Sequence, residues 1–221
     1  MHANRSLSQE AYQTIRQKII ALDLPPGAVI DEARLQTDLG LGRTPIREAL
    51  QRLALEKLVA IIPRRGTFVA DIGITDLHRL FEARLVLETL AARLAAQRGS
   101  EAHWQTMAAA LDRIPAADPV PPDLLIAIDE QCHAIMYEAA DNKFLQDTLT
   151  TLYALSLRLW YYSLARMGGM REAILEHRHI LAALRRRDAD AAADLLETHI
   201  RTFQANIQSV VLGATAGNGN F

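Results

Sequence analysis

Apolar residues in the first seventy positions recur over short stretches at helical spacing. An amphipathic stretch at 31–39 precedes a turn with two glycines. A second helix is predicted to open there, with Thr44 as its N-cap and Pro45 in its first turn. A β-hairpin is predicted around 63–66, where Gly66 permits a tight turn between two apolar stretches. The buried stripe of the second helix consists of Ile46, Ala49, Leu50 and Leu53.

Helix, turn, helix and hairpin, in that order, predict a winged helix-turn-helix, a fold that binds duplex DNA. Its second helix places N-terminal side chains in the major groove, where arginine pairs with guanine. A single exposed arginine is better explained as ordinary solvated surface, but the ordered set favours DNA contacts. The residues predicted to contact DNA are Arg34, Arg43, Thr44, Arg47, Gln51, Arg64, Arg65 and Gly66.

Long helical patterns fill the rest of the chain and predict an antiparallel all-α bundle. The fold class is therefore mainly α, with a small β-hairpin wing in the N-terminal part. Residues 1–70 form the predicted DNA-binding domain, and 71–74 a linker. The bundle domain is predicted at 75–211, with Thr75 as the cap of its first helix, and 212–221 as a disordered tail. The helices are predicted at 75–97, 100–112, 121–140, 142–166, 170–186 and 188–211.

Composition and charge indicate that the two parts of the chain differ in function. Half of the 221 residues are apolar and only 5% are aromatic, which favours helices over sheets. The first seventy residues hold 10 basic and 7 acidic side chains, whereas the remainder holds 14 and 19. Cys132 is the only cysteine, and neither a secretory leader nor a membrane-spanning stretch is recognisable, so a cytoplasmic protein without membrane contact is expected.

Four polar residues of the second half have a spacing that suits a metal site. Asp129 and His133 are four residues apart and share one helix face. His177 precedes Asp188 by 11 residues and His199 follows it by 11, so an antiparallel turn there would place the two histidines side by side. Imidazole and carboxylate together suit a divalent transition metal, zinc first and otherwise nickel, manganese or iron. From spacing alone, four unrelated surface residues explain the pattern about as well.

The N-terminal residues resemble the GntR family of bacterial regulators. The resemblance is carried by the runs 32–35 (EARL), 42–50 (GRTPIREAL) and 65–69 (RGTFV), and upstream by 11–20 (AYQTIRQKII) and 24–27 (LPPG). Leu41 and Gly42 depart from the family, which usually has a β-branched residue and a serine there, so one hydroxyl near the helix start is missing. The resemblance implies a DNA-binding regulator.

The second half resembles FCD, the ligand-binding domain of the FadR subfamily of these regulators. Asp129 and His133, the pair Glu176–His177, and the spacing from Asp188 to His199 carry the resemblance. It implies a divalent metal bound by Asp129, His133, His177 and His199, with a small carboxylate effector coordinated to the metal.

Three further residues are candidates for effector binding. Arg84 matches a family motif and has the guanidinium fork that suits a carboxylate, although an ion pair with Glu88 four residues later explains it equally. Arg158 lies on an otherwise apolar helix, where burial would demand an anionic partner. Asn142 matches a family asparagine, and capping of the next helix explains it as well.

Together these features predict a homodimeric transcriptional regulator, a repressor, that binds a short inverted repeat of double-stranded DNA. An organic acid on the bound metal is expected to shift the bundle and change the spacing of the two winged helices. Two alternatives stay open: a regulator that senses the ion itself, and a metal-dependent enzyme. The sequence marks no distinct general base beside the metal residues, so no enzyme is expected.

Overall fold

The structure, a computed structural model, describes residues 6–71, 73–117, 119–163 and 170–217. Its chain separates into two compact units. Unit 1 consists of Met1–Gly73 together with Ala154–Tyr162, and unit 2 of Ile74–Tyr153 together with Ser163–Phe221. The sequence assigned residues 154–162 to the second domain, whereas these residues pack within unit 1.

Unit 1 contains the helices and the hairpin predicted for a winged helix-turn-helix. Its core is an apolar cluster to which all the elements contribute, with Ile15, Ile46 and Leu53 completely buried. The helical spacing of Ile46 and Leu53 therefore predicts correctly which face of the second helix of the helix-turn-helix is buried. The elements are α1 (Leu7–Ile20), α2 (Glu32–Leu39), α3 (Arg43–Leu55), β1 (Val59–Ile62) and β2 (Gly66–Val69).

The turn between α2 and α3 differs from the prediction in one detail. Gly40 ends α2 in the left-handed conformation with φ of 65°, a backbone geometry that glycine adopts at little cost. Helix α3 then begins at Arg43, and Gly42 takes the N-cap position with an extended backbone and no side-chain hydrogen bond. The predicted N-cap at Thr44 is therefore wrong, because the chain enters the helical conformation before it reaches Thr44.

The wing is a two-stranded antiparallel hairpin in which Ile62 pairs with Gly66. Gly66 has φ of 112°, and Arg64 at the tip has φ of 62°, so the turn uses two left-handed residues. Val29 forms an additional antiparallel bridge to Phe68 of β2. This bridge, which the sequence did not predict, fastens the segment before α2 to the wing.

Unit 2 is helical throughout its described part. Helix α4 packs against α6, α9 and α10, and α5 packs against α6 and α9. None of the described helices is long and apolar enough to cross a membrane. The helices after the wing are α4 (Ile74–Arg98), α5 (Glu101–Leu111), α6 (Pro122–Ala139), α7 (Lys143–Ser163), α8 (Met170–Leu175), α9 (His177–Arg185) and α10 (Ala189–Gly217). Most of α7 after Tyr153 belongs to unit 1, and the other helices belong to unit 2.

Three helical predictions need correction. The helix predicted at 170–186 is divided at Glu176 into α8 and α9. The tail predicted to be disordered from 212 is helical to Gly217, where α10 ends. The predicted break at 168–169 and the linker residue 72 lie outside the described residues. Helix α4 begins at Ile74, so the predicted linker is too long by one residue and the predicted cap at Thr75 is wrong.

Two leucines of α3 provide a direct stability test of unit 1. Leu53 is fully buried, whereas Leu55 is 83% exposed. Replacement of Leu53 by Ala is expected to lower the free energy of unfolding by about 2–5 kcal/mol, because it removes buried methyl groups and leaves a cavity. Leu55→Ala is the matched control and is expected to change it by less than about 0.5 kcal/mol. Urea unfolding of the full chain measures both, and equal losses would contradict this assignment of the core.

Candidate metal centre and DNA-binding surface

The four residues predicted as metal ligands lie together inside unit 2. Asp129 and His133 are one turn apart on α6, His177 is the first residue of α9, and His199 lies on α10. All four are buried, and one ligand atom from each lies within 4.8 Å of the others. The described part of the chain thus contains a group of one carboxylate and three imidazoles, which we call the Asp/His3 group.

The separations within the Asp/His3 group are larger than hydrogen bonds. Nε2 of His177 and Nε2 of His199 lie 3.5 Å and 3.6 Å from Oδ1 of Asp129. Nε2 of His133 lies 3.8 Å from Oδ2 of the same carboxylate. Ligands about 2.0–2.1 Å from a tetrahedral zinc ion are separated by roughly 3.3 Å, so the donors are spaced for a shared cation. The rings of His177 and His199 are 4.4 Å apart, as the antiparallel turn near Asp188 predicts.

Each imidazole has a second contact that fixes its orientation. Nδ1 of His133 lies 2.7 Å from Oε2 of Glu88, and Nδ1 of His199 lies 3.0 Å from Oε2 of Glu176. Nδ1 of His177 lies 3.2 Å from the backbone carbonyl of Ile174. In every case Nδ1 points to an acceptor and Nε2 points toward Asp129. This is the arrangement in which outer partners orient metal-binding histidines.

Helices α4 and α7 complete the surroundings of this group. The Arg84 Nε donates to Oε1 of Glu88 at 2.5 Å, and both side chains are buried. The Tyr153 hydroxyl donates to Oδ2 of Asp129, also at 2.5 Å. Glu88, Glu176 and Tyr153 were not predicted to belong to the site. The i,i+4 spacing of Arg84 and Glu88 indicated an ion pair between them, but no local sequence pattern pointed to Tyr153.

The pKa values of His199 and His177 are shifted in opposite directions. Burial disfavours charge on His199, but the carboxylates of Asp129 and Glu176 outweigh it and raise the pKa of His199 to about 9. Burial and the neighbouring His199 lower the pKa of His177 to about 3. Burial would raise the pKa of Asp129, yet the surrounding imidazoles hold it well below its usual range. The ligand set is therefore ionised at Asp129 and neutral at His177, as metal binding requires.

Two buried atoms support a cation at this position. Within the described part of the chain, Oδ1 of Asp129 and Nε2 of His177 have no hydrogen-bond partner. Buried polar atoms without partners cost free energy, and both atoms face the centre of the Asp/His3 group. One oxygen and three nitrogen donors suit a divalent transition metal, so the residues fit such an ion.

The three predicted effector residues have different surroundings. Arg84 lies in the buried cluster next to the Asp/His3 group, paired with Glu88. Arg158 belongs to unit 1, where its Nη2 donates to the carbonyl of Ala70 at 2.6 Å, and burial lowers its pKa to about 10. Asn142 accepts a hydrogen bond from the backbone of Leu145 at 3.2 Å and caps α7. The structure therefore brings only Arg84 to the ligands, and effector binding by Arg158 and Asn142 stays a prediction.

The predicted DNA-contacting residues are all exposed on unit 1. Nε of Arg47 lies 2.9 Å from Oε2 of Glu32, which holds this side chain at the surface near α2. Nε of Arg34 lies 3.6 Å from Oδ2 of Asp38 one turn later. The exposed set is Arg34, Arg43, Thr44, Arg47, Gln51, Arg64, Arg65 and Gly66. Their exposure is compatible with contact to DNA.

Comparisons with known families and proteins identify the class. Residues 7–69 match the family profile described as bacterial regulatory proteins, gntR family, and residues 79–202 match the FCD domain. The chain belongs to the GntR family of bacterial regulatory proteins and carries a C-terminal FCD domain. Both resemblances found in the sequence are thereby confirmed, whereas membership of the FadR subfamily stays a prediction.

Relatives match along most of the chain. The HTH-type transcriptional repressor RspR of Escherichia coli K12 is 25% identical over 212 residues, which are 95% of this chain and 92% of the relative. The Nta operon transcriptional regulator of Aminobacter aminovorans is 28% identical over 189 residues, or 86% and 89%. The solved structure of E. coli McbR/YncC shares the fold, with a TM-score of 0.83 at 21% identity over 92% of this chain and 98% of that one.

These matches establish the general function. The chain is a DNA-binding transcriptional regulator, and the expectation that it is not an enzyme is confirmed by its family and relatives. The predicted fold class, a winged helix-turn-helix followed by a helical domain, is confirmed as well.

The raised pKa of His199 predicts how zinc affinity depends on pH. In the metal-free chain His199 holds a proton up to its pKa of about 9, and zinc must displace this proton. Zinc affinity is therefore expected to rise about tenfold per pH unit from neutral pH and to level off near the pKa of His199. Titration of the full chain against a competing chelator measures the dependence. A constant affinity across this range would contradict the proton competition.

Proposed function

We propose that this regulator is a homodimeric repressor whose affinity for an inverted-repeat operator is changed by a small organic acid bound at a divalent metal ion. The metal ligands are Asp129, His133, His177 and His199. The observation that carries the proposal is the convergence of these four buried donors within 4.8 Å, with every imidazole held by an outer partner. When bound, the metal supplies a Lewis-acidic partner for the oxygen of an anion.

The charge of the buried cluster favours an anionic effector. Arg84 and Glu88 neutralise each other, so Asp129 contributes the remaining buried negative charge. A divalent cation would leave this cluster with one net positive charge, which is costly to bury without an anion. A carboxylate supplies both the negative charge and an oxygen ligand for the metal. A neutral ligand such as an unsubstituted sugar supplies oxygen atoms but no charge.

Arg84 is the candidate second contact for the effector. Its guanidinium carbon lies 5.2 Å from the centre of the Tyr153 ring, and Tyr153 itself contacts Asp129. The planar guanidinium fork suits a carboxylate, which makes Arg84 a chemically suitable partner for an organic acid. The proximity of Arg84 to the Asp/His3 group favours organic acids with a second polar group beyond the carboxylate.

The DNA contacts belong to α3, α2 and the wing. Arg43, Thr44, Arg47 and Gln51 occupy the exposed side of α3, whose N-terminal half is the part of a recognition helix that reads bases. Arg34 on α2 is suited to phosphate, and the wing tip presents Arg64 and Arg65 in the turn between the paired residues Ile62 and Gly66. In a symmetric dimer the same surface occurs twice, which requires an operator of two inverted half-sites.

Thermal unfolding with a panel of carboxylic acids tests the metal and the effector together. The full chain is measured with sugar acids, hydroxy acids and dicarboxylates, each with and without a chelator. An acid at about 100 times its dissociation constant is expected to add roughly 2.7 kcal/mol of stability in the absence of chelator only. If the chelator lowers stability but no acid raises it, the metal is structural or is itself the signal, and the proposed effector is refuted. If neither has an effect, the metal site is refuted.

Two histidines of α9 provide a matched pair for this experiment. His177 is fully buried in the Asp/His3 group, whereas His179 is exposed two residues later on the same helix. His177→Gln is expected to abolish the chelator-sensitive stabilisation by acids, and His179→Gln is expected to retain it. Loss in both variants would show that the effect depends on the helix rather than on the ligand.

Two arginines of unit 1 test the assignment of the DNA surface. Arg47→Ala is expected to weaken operator binding by about 1–3 kcal/mol and to relax specificity at one base pair of each half-site. Arg34→Ala is expected to weaken binding to all sequences alike and to reduce its salt dependence, because a phosphate contact carries no sequence information. Binding to operator variants at several salt concentrations distinguishes the two. A uniform loss for Arg47→Ala would refute its role in base reading.

A further inference from the structure

We propose that Tyr153 is a positioning residue for the metal site: its hydroxyl holds the Asp129 carboxylate so that one oxygen faces His177 and His199. Tyr153 lies on α7, and none of the four ligands belongs to this helix. The inference rests on the proposed metal site and assigns to it a residue that the ligand motif does not contain.

The contact between the two side chains is short and buried. The Tyr153 hydroxyl donates to Oδ2 of Asp129 at 2.5 Å, and Tyr153 is 5% exposed. The Tyr153 ring also lies 4.9 Å from the ring of His133, which limits its freedom to turn away.

The two oxygens of Asp129 consequently have different surroundings. Oδ2 accepts the hydrogen bond from Tyr153 and lies 3.8 Å from Nε2 of His133, whereas Oδ1 lies 3.5 Å from Nε2 of His177 and 3.6 Å from Nε2 of His199. The terminal torsion of an aspartate is broad and has no sharp minimum to hold the carboxylate by itself. The hydroxyl therefore selects the rotation in which Oδ1 is presented to His177 and His199.

Tyr12 is a control outside the metal site. It lies on α1 of unit 1, where its hydroxyl donates to Oε1 of Glu56 at 2.8 Å. Tyr12 is 8% exposed, so Tyr12→Phe also removes a buried hydroxyl that donates to a carboxylate, but it touches none of the four proposed ligands.

The experiment compares the metal-stripped full chain with its variants Tyr153→Phe and Tyr12→Phe. Zinc affinity is measured by competition with a chromophoric chelator, and the visible spectrum is recorded after loading with cobalt. Tyr153→Phe is expected to bind zinc about 10- to 100-fold more weakly, as is usual when an outer partner of a metal ligand is removed. Its cobalt spectrum is expected to change. Tyr12→Phe is expected to bind zinc as the unchanged chain does and to keep its spectrum.

A double-mutant cycle separates positioning from a general effect on the fold. In the background Asp129→Asn, where the anionic ligand is already lost, Tyr153→Phe is expected to cause little further loss of zinc affinity. A purely structural role would produce the same loss in both backgrounds and would overturn the inference. Circular dichroism of the metal-free variants shows that each is folded before titration.

The remaining outcomes are also decisive. If Tyr153→Phe binds zinc as tightly as the wild type with an unchanged cobalt spectrum, the positioning role is refuted while the metal site stands. If the wild type itself binds neither zinc nor cobalt, the proposed metal site fails and the role of Tyr153 fails with it.

Discussion

The buried carboxylate of Asp129 is the constraint around which unit 2 is organised. An ionised carboxylate inside a helical bundle is unfavourable unless charges and hydrogen bonds compensate it. Here the compensation comes from His133 on the same helix, His177 on α9, His199 on α10 and Tyr153 on α7. The helices that supply these side chains therefore do more than bury apolar surface: they bring polar partners to a single position.

The outer contacts extend this organisation to the rest of unit 2. Glu88 joins α4 to His133 and is itself neutralised by Arg84, which holds the pKa of Glu88 at about 2 although burial would raise it. Glu176 lies at the division between α8 and α9 and reaches His199 on α10. The interruption at Glu176 thus has a structural consequence, because it places an acceptor beside one histidine and begins α9 at another. The site and the helix boundaries are features of the same packing.

Helical periodicity explains what the sequence could predict. Asp129 and His133 are four residues apart, and His177 and His199 are equally distant from Asp188. Both spacings correctly predict that these side chains lie close together. Contacts between helices that are distant in sequence could not be predicted from such spacings. Tyr153 and Arg158 are five residues apart on α7, yet Tyr153 reaches Asp129 in unit 2 and Arg158 packs in unit 1. Only the packing of the helices decides between these environments.

X-ray absorption at the zinc K-edge of the full chain, loaded with one equivalent of zinc, tests the central claim most directly. The Asp/His3 group predicts the scattering pattern of three imidazole rings and at least one oxygen ligand, without sulfur. Fewer than three imidazoles, or a sulfur ligand from Cys132, would contradict the assignment of the metal site.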